Sequence, residues 1–216
     1  MFDNHYESWR ISRNAGITKY IDDTFFPGKT LLEVGAGYGH NGQMFHEKGC
    51  MVTCSEVRSE HIVSGKLLHP HLDFCVLDCE KDVLPPCDIL LHWGVLYHLK
   101  NLQDHFTKIA SSCKYLLLET EVCDSSDSIV LQTEEDGFDQ AYSGIGSRPS
   151  PCYVESLLEK HGFHYKLILD PILNASFHNY DWKIENKGHW KHGLRRFWIA
   201  WKQDVESPIK EIYRNI

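Results

Sequence analysis

The residues best suited to chemistry in this chain of 216 amino acids surround a glycine-rich turn. A strand-like run, Leu31–Val34, leads into the turn, and the residues after it are typical of a helix start. Glycines let the backbone fold sharply and approach a ligand closely, while the N–H groups of a helix start point back at that ligand. The pattern predicts a nucleotide-like cofactor, contacted by the backbone of Gly35, Ala36, Gly37 and Gly39.

The glycine spacing alone leaves more than one explanation open. Gly37, Gly39 and Gly42 also match a dinucleotide fingerprint, which binds a pyrophosphate. Glu33 stands two residues before the first glycine, where its carboxylate would repel a pyrophosphate but attract a sulfonium or ammonium group. A positively charged cofactor is therefore favoured over a dinucleotide. A tight strand-to-helix turn without any ligand is the structural alternative.

Acidic residues follow the next two strand-like runs. In an open parallel sheet, ligands bind beyond the carboxyl ends of the strands, so these acids are expected to meet the glycine turn. Glu56 lies about 20 residues past the glycines, where an acid can accept both hydroxyls of a ribose. Asp78 can accept from an exocyclic amine, next to the following N–H group. The cofactor contacts expected at the ends of these and the next strand are Glu56, Val57, Asp78, Cys79 and Trp93.

Strand-like runs alternate with helix-like segments along the chain, which is the pattern of an α/β fold with a doubly wound, Rossmann-like sheet. The predicted strands are Thr30–Val34, Met51–Ser55, Asp73–Leu77, Asp88–His92, Tyr115–Glu119, Tyr165–Asp170 and Arg196–Lys202. The predicted helices are Gly42–Lys48, Glu60–Leu68, Leu102–Ser111 and Pro151–His161. The length of 216 residues predicts a single domain, residues 1–216, and the absence of a second glycine-rich unit predicts one seven-stranded sheet. Because no helix pattern separates the last two strands, this mostly parallel sheet is expected to end in a C-terminal antiparallel hairpin.

Three stretches fall outside this alternation. Residues 1–27 are expected to form an exposed helical arm. Residues 124–150 are polar and too long for a bare connection, so they are interpreted as a functional loop or lid, with a mobile surface insertion as the alternative. Residues 174–191 are rich in aromatic residues and histidine and are expected to cover the edge of the sheet or the pocket.

Composition and charge limit the function classes. Hydrophobic residues make up 42% and charged residues 24% of the chain, which is usual for a globular protein. No run of about 18 apolar residues and no signal-peptide pattern is present, so we expect a cytoplasmic protein without a membrane partner. The formal net charge of −8 disfavours a broad grip on nucleic acid. The basic stretch Lys187–Lys202 is interpreted as a solvated face, with phosphate contact as the alternative.

Cysteines and histidines are numerous, at 8 and 14 residues, but they lack the spacing of a metal site. No Cys-x-x-Cys pair occurs and most cysteines lie in strand-like runs, which indicates buried, reduced thiols. The pairs His69/His71 and His189/His192 have no partner set with zinc spacing. We therefore predict that the protein binds no metal.

Taken in their order along the chain, these residues resemble class I S-adenosylmethionine-dependent methyltransferases. The resemblance covers roughly residues 28–170 and depends on the motifs Glu33–Gly39, Glu56, Leu77-Asp78 and Gly94–His98. It implies a seven-stranded sheet with a terminal antiparallel hairpin and S-adenosyl-L-methionine as the cofactor. A narrower resemblance, carried by Trp93–His98, Leu117–Thr120 and Arg148–Ser150, is to the branch that holds the tRNA wobble-uridine carboxymethyltransferases and many methyltransferases for sugars and natural products.

The resemblance also implies roles for individual residues. Gly35 and Gly37 would approach the methionine part of the cofactor, Glu56 its ribose and Asp78 its adenine. Trp93 and Tyr97 would line the side of methyl transfer. If the N-terminal segment folds over the cofactor, Arg10 or Arg13 could pair with the methionine carboxylate.

For a hydroxyl acceptor, methyl transfer needs alignment and a base. His98 is the first candidate because an imidazole titrates near neutral pH, although a histidine here could also only shape the turn. Tyr97 could orient the substrate. Glu119, with Glu121, is a secondary candidate base, and a packed structural carboxylate is its alternative role.

Three functions from different classes remain open at this point. The first is a methyltransferase acting on a hydroxyl of a small molecule or saccharide. The second is an RNA (tRNA)-modifying methyl- or carboxymethyltransferase, which a basic surface continuous with the pocket would favour. The third is a binding module that lost its chemistry, which the presence of Glu33, Glu56 and Asp78 disfavours.

Overall fold

Strands and helices alternate along the chain in the computed structural model, which describes residues 6–135, 137, 140–187 and 193–214. The strands are β1 Thr30–Val34, β2 Met51–Glu56, β3 Asp73–Val76, β4 Cys87–Trp93, β5 Cys113–Glu121, β6 Val130–Glu134, β7 Ile145–Pro149, β8 Phe163–Ile168 and β9 Arg195–Lys202. The helices are α1 Glu7–Tyr20, α2 His40–Glu47, α3 Ser59–Leu68, α4 Leu102–Ser112 and α5 Pro151–Lys160. None of these described helices is long and apolar enough to span a lipid bilayer.

Seven strands form one sheet in the order β3-β2-β1-β4-β5-β9-β8. Because β1 pairs in parallel with both β2 and β4, the winding reverses between them, and a crevice opens beyond their carboxyl ends. β9 lies antiparallel to both β5 and β8. The predicted Rossmann-like sheet with a C-terminal antiparallel pair is therefore confirmed.

The alternation of side chains along each strand builds an apolar core on both faces of the sheet. In β1, Leu31 packs in the core that includes residues of α1 and α2, while Leu32 and Val34 pack in the core that includes residues of α4 and α5. The same alternation places Glu33 on the face of α2. A central strand with both faces covered is typical of parallel sheets.

Local sequence determines where the helices begin. Ser150 caps α5 by accepting a hydrogen bond from the N–H of Tyr153, and Pro151 occupies the first turn, where a missing N–H group costs nothing. The Asn101 side chain caps α4 in the same way, accepting from the N–H of Asp104. These caps hold the two helices that cover the second face of the sheet.

Residues 124–150, interpreted from sequence as an irregular loop or lid, contain the antiparallel hairpin β6–β7. Both strands have only five residues, and the second contains Gly146 and Pro149, which weaken a strand pattern. Sequence reasoning therefore missed these strands. The hairpin contacts the short 3₁₀ turn Leu96–His98 that follows β4, so it lies beside the crevice.

Candidate active site

One cavity lies at the crevice, with a volume of about 1200 Å³ that includes its open mouth. The ends of the first four strands, the start of α1 and the tip of the hairpin all contribute to its wall. Ten residues expected from sequence to bind the cofactor or take part in catalysis line it: Gly35, Ala36, Gly37, Glu56, Val57, Asp78, Cys79, Trp93, Tyr97 and His98. Glu33, Gly39 and Glu119 do not line it.

The glycine turn is shaped for close approach. Gly35 has a φ of 62° and Gly37 a φ of 55°, in the left-handed region that disfavours residues with a Cβ. A Cβ on Gly35 would also lie 2.4 Å from Cγ2 of Val95, closer than van der Waals contact allows. Gly39 lies at the N-terminal cap of α2 with a φ of 82° and does not line the cavity, so what the structure shows of it is its part in the turn.

Glu33, expected from sequence to contact the cofactor, is buried behind the turn and does not line the cavity. Its carboxylate accepts hydrogen bonds from the N–H of Gly42 at 2.9 Å and from Nδ2 of Asn41 at 3.0 Å, both at the start of α2. Burial raises the pKa of Glu33 to about 7, against the opposing effect of these hydrogen bonds. Glu33 therefore ties β1 to α2 and holds the shape of the turn.

Glu56 combines a structural and a ligand-facing position. One carboxylate oxygen accepts from the N–H of Gly37 at 3.1 Å, and the other accepts from the N–H groups of Val57 and Arg58 at 2.9 and 3.0 Å. A carboxylate has about four acceptor positions, so these three bonds leave room for a ligand hydroxyl. Glu56 thus joins β2 to the glycine turn inside the cavity wall.

Asp78 and Cys79 form the wall after β3. The Asp78 carboxylate accepts from the N–H of Glu80 at 3.0 Å and pairs with Nζ of Lys81 at 2.9 Å, and it is partly exposed. The carbonyl of Cys79 accepts from Nζ of Lys108 at 3.3 Å and lies 3.1 Å from Nδ1 of His105. His105 and Lys108 of α4 therefore hold the loop after β3 in place, while the carboxylate of Asp78 stays partly accessible from the cavity.

Helix α1 packs over the cavity, and the expectation of an exposed arm is wrong. Trp9 and Arg13 are 8% and 6% exposed, and both line the cavity together with Arg10. Trp9 stacks on His178 with ring centroids 3.6 Å apart. The buried face of α1 also includes Ser12 and Gly16, so a hydrophobic pattern does not reveal it.

The indole Nε1 atoms of Trp9 and Trp93 are buried without an acceptor among the described residues. Buried donors are usually paired, and both tryptophans line the cavity. A bound group with acceptor oxygens would satisfy such donors. This observation, together with the glycine cradle and two carboxylates at the strand ends, fits an adenosine linked to an amino acid.

Glu119 is enclosed by cations, so the expectation that it acts as a base does not fit its surroundings. It is 0% exposed; Arg195 donates to both carboxylate oxygens at 2.6 and 3.2 Å, and Nη2 of Arg13 lies 3.1 Å away. Burial would raise the pKa of Glu119, but the two arginines outweigh it and hold the pKa at about 2. Glu119 therefore holds α1 and β9 together below the cavity.

Tyr97 and His98 reach the cavity from the 3₁₀ turn after β4. Two guanidinium groups lie near the Tyr97 ring, that of Arg195 at 4.6 Å and that of Arg148 at 5.0 Å from its centroid. His98 Nδ1 lies 2.5 Å from the carboxylate of Glu135, directly after β6. Sequence reasoning missed Glu135 because it lies in a polar, acidic stretch, where its type and spacing are not distinctive.

The hairpin tip also reaches the cofactor side of the cavity, which sequence reasoning did not anticipate. Gln140 and Tyr142 line the cavity, and Nη2 of Arg58 donates to the Gln140 carbonyl at 2.7 Å. The guanidinium of Arg58 also lies 5.7 Å from the ring centroid of Tyr142. The hairpin is therefore joined to the loop that carries Glu56.

In the basic stretch from Lys187 to Lys202, Lys187 is exposed, as a solvated face requires, but the two arginines are not. Arg195 and Arg196 are 1% and 2% exposed, and Arg196 donates to the carbonyls of Tyr180 and Trp182. Lys191 and the pair His189/His192 lie outside the described residues. Residues 174–187 line no part of the cavity, and His178 in this segment stacks on Trp9 of α1.

Among the described residues, no group of three or more His, Cys, Asp or Glu side chains is arranged to hold a metal ion. All eight cysteines are free thiols; three are buried only in part, and Cys152 is exposed. Burial raises the pKa of the Cys79 thiol in the cavity wall to about 12, so it is protonated at neutral pH.

Comparison with known proteins identifies a family. A profile of the family described as "Methyltransferase domain" matches residues 6–167. No curated protein sequence matches the chain.

Solved structures share the fold at low sequence identity. The N-terminal domain of EvdMO1, in the presence of SAH and D-fucose, is 16% identical with a TM-score of 0.67, covering 91% of this chain and 83% of that one. A putative S-adenosylmethionine-dependent methyltransferase from Listeria monocytogenes is 15% identical with a TM-score of 0.60, covering 89% and 99%. The 1,6-didemethyltoxoflavin-N1-methyltransferase of Burkholderia thailandensis, with 1,6-didemethyltoxoflavin and S-adenosylhomocysteine bound, is 15% identical with a TM-score of 0.57, covering 92% and 79%.

Proposed function

The chain belongs to the methyltransferase-domain family, and on that premise we propose that it methylates a hydroxyl group of a small molecule or saccharide. The observation that carries this proposal is a single cavity. It joins a glycine cradle, the carboxylates of Glu56 and Asp78, and a histidine paired with a glutamate. The glycine cradle and the two carboxylates suit a nucleoside-bearing cofactor, and the paired histidine suits removal of a proton from an acceptor.

S-adenosyl-L-methionine is the cofactor, and when bound it supplies an electrophilic methyl group on a positively charged sulfur. Gly35, Ala36 and Gly37 would hold it through their backbone, with Glu56 accepting from the ribose and Asp78 from the adenine amine. Cys79 and Val57 complete the wall at the same strand ends. Because Arg13 lies in the wall near Trp9 and Trp93, this end of the cavity would take the carboxylate.

His98 is the base in this proposal. Its side chain is 17% exposed and lines the cavity, and its Nε2 forms no hydrogen bond or ion pair with any described residue. The imidazole would accept the proton of the acceptor hydroxyl while Trp93 and Tyr97 orient the reacting groups. Glu119 has no part in this step because its carboxylate is committed to Arg13 and Arg195.

A small acceptor fits the closed surroundings of the cavity. Helix α1 covers one side and the hairpin tip covers another, which leaves a recess rather than an open basic track. The buried positions of Arg195 and Arg196 remove the main reason to favour RNA. The titles of two similar structures also name small acceptor-sized compounds, D-fucose and 1,6-didemethyltoxoflavin.

Two measurements test the proposal. Calorimetric titration should show binding of S-adenosylmethionine and no comparable binding of NAD, and Glu56→Ala should weaken binding where Glu60→Gln, on the exposed start of α3, does not. A screen of saccharide and phenolic hydroxyls should then show release of S-adenosylhomocysteine that falls about a hundredfold or more in His98→Ala. Preferred binding of NAD would overturn the assignment of S-adenosylmethionine as the cofactor. Undiminished turnover in His98→Ala would overturn the assignment of His98 as the base.

A further inference from the structure

Glu135 is a buried carboxylate outside the expected cofactor site that reaches the cavity histidine from the hairpin β6–β7. We propose that Glu135 is a positioning residue, which holds the proton of His98 on Nδ1 and so keeps Nε2 unprotonated to receive the acceptor's proton. This inference goes beyond the proposed function and depends on it only where it concerns turnover. The contact between His98 and Glu135 involves no cofactor or acceptor, so it can be tested in the protein without either.

The geometry determines which atom carries the proton. Nδ1 of His98 and a carboxylate oxygen of Glu135 are 2.5 Å apart, which is closer than an ordinary N–H···O hydrogen bond, so these two atoms share a proton. Burial would raise the pKa of Glu135, but His98 and Arg148 outweigh it and hold the pKa at about 2. A carboxylate that is ionised can only accept, so Nδ1 must donate. In the neutral ring the lone pair is then on Nε2.

Two donors besides His98 hold the Glu135 carboxylate in place. Nη2 of Arg148 donates to one oxygen at 2.6 Å, while the N–H of Ala141 donates to the other oxygen at 2.9 Å, the same oxygen that faces His98. The Arg148 guanidinium also donates to the carbonyl of Tyr97 at 3.0 Å, one residue before His98. One buried arginine therefore sets the carboxylate and the backbone of the histidine relative to each other.

Gly146 provides the space for this arrangement. A Cβ at this position would lie 2.5 Å from a carboxylate oxygen of Glu135 and 2.7 Å from the Tyr97 carbonyl oxygen. Only a residue without a side chain lets β7 pass this close to both groups. The hairpin is therefore fitted to the Glu135–His98 pair, which gives Gly146→Ala as an independent way to displace it.

The reaction step that this pair serves balances without another reactant. As the acceptor oxygen forms its bond to the methyl carbon, the bond from that carbon to sulfur breaks and the electron pair stays on sulfur. The proton of the hydroxyl moves to Nε2 of His98. The imidazolium that results lies against the negative charge of Glu135, which stabilises it.

Nuclear magnetic resonance tests the tautomer in the full chain without cofactor or acceptor. The ¹⁵N shifts of His98, assigned by loss of its signals in His98→Gln and followed to the pH at which the ring is neutral, should show a protonated Nδ1 and an unprotonated Nε2. Glu135→Gln should lower the Nδ1-protonated fraction, because the amide carbonyl is held by Arg148 and its NH₂ group then faces Nδ1. Glu134→Gln, the adjacent exposed carboxylate on β6, should leave it unchanged. Persistence of the wild-type tautomer in both Glu135→Gln and Glu135→Ala would overturn the proposal.

Kinetics with an accepted hydroxyl substrate give the second readout. Glu135→Gln and Gly146→Ala should lower kcat by about a hundredfold, the lower range of general-base catalysis, with KM for S-adenosylmethionine within about twofold. Glu135→Asp should restore part of kcat because it keeps the charge. A rise in KM with unchanged kcat would overturn the positioning role. If no acceptor is ever methylated, the proposed function fails. The resonance experiment still shows whether Glu135 sets the tautomer of His98.

Discussion

Two buried glutamates on the same sheet show how different surroundings give one residue type opposite properties. Glu33 in β1 and Glu119 in β5 are 2% and 0% exposed. Around Glu33 the donors are uncharged, an N–H group and an amide, and its pKa is raised to about 7. Around Glu119 the donors include two arginines, and its pKa is held at about 2. Burial is common to both, so the charge of the partner decides the sign of the shift.

The difference separates two kinds of support for the active site. Near the glycine turn, a carboxylate that is easily protonated joins a strand to a helix through weak, local hydrogen bonds. At the far side, a cluster of fixed charges joins α1 and β9 to β5 over long sequence distances. The first support is expected to respond to pH near neutrality, and the second only in strong acid.

The largest effect is expected from removing the charge in the second region. Glu119→Gln should lower the free energy of unfolding by about 3–5 kcal/mol, because Arg13 and Arg195 lose the carboxylate that pairs with them in the interior. Urea denaturation followed by tryptophan fluorescence measures the change. Glu134→Gln, on the exposed side of β6, is the control and should unfold as the wild type does. Equal stability of the two variants would contradict this interpretation.

Cofactor affinity sharpens the comparison between a glutamate in the cavity wall and one behind it. Glu56→Gln should raise the Kd for S-adenosylmethionine about tenfold to a hundredfold, as a hydrogen bond to a charged group contributes about 1.5–3 kcal/mol. Glu33→Gln should change Kd much less, because Glu33 does not line the cavity. Isothermal titration calorimetry measures both. A larger loss of affinity for S-adenosylmethionine in Glu33→Gln than in Glu56→Gln would support direct contact between Glu33 and the cofactor.

The pH dependence of stability tests the first region. Because the pKa of Glu33 rises from its ordinary value of 4.5 to about 7 on folding, its contribution to stability is present below pH 4.5 and is lost as pH rises through 7. Glu33→Gln should therefore reduce the fall in unfolding free energy between pH 5 and pH 8. Glu119 has the opposite sign, since its contribution is lost as pH falls from 4.5 through 2. An unchanged slope between pH 5 and pH 8 in Glu33→Gln would show that Glu33 does not titrate there.

The smallest effect is expected at an exposed ion pair of the same charge types. Nζ of Lys114 lies 2.8 Å from the carboxylate of Asp88, with side chains 60% and 27% exposed. Solvent screens such a pair, so Lys114→Met should leave the melting temperature within experimental error of the wild type. Differential scanning calorimetry beside Glu119→Gln makes the comparison. A loss comparable to that of Glu119→Gln would show that burial does not set the strength of these ion pairs.

Much of the fold and of the cofactor side of the cavity could be predicted from local patterns. The sequence predicts all seven strands of the main sheet to within two residues at either end, because a strand buried on both faces gives a continuous apolar run. Gly35, Gly37, Glu56 and Asp78 were expected in one pocket and line it together. These residues follow strand ends, and the carboxyl ends of parallel strands meet at one edge.

The polar interior could not be predicted in the same way. Helix α1 was expected to be exposed because its buried face includes Ser12, Arg13 and Gly16 rather than an apolar stripe. The short, polar strands β6 and β7 lie where the sequence predicts a loop. Glu135 pairs with His98 at a separation of 37 residues, and Arg195 pairs with Glu119 at a separation of 76.

The sequence by itself therefore determined the sheet, the glycine turn and the order of the acids, since torsional freedom and side-chain period are properties of neighbouring residues. Only the tertiary structure decided which carboxylate faces a ligand, which faces a cation and which holds the histidine. Charge pairing depends on distance and on exclusion of water, and both arise only after distant segments have packed against each other.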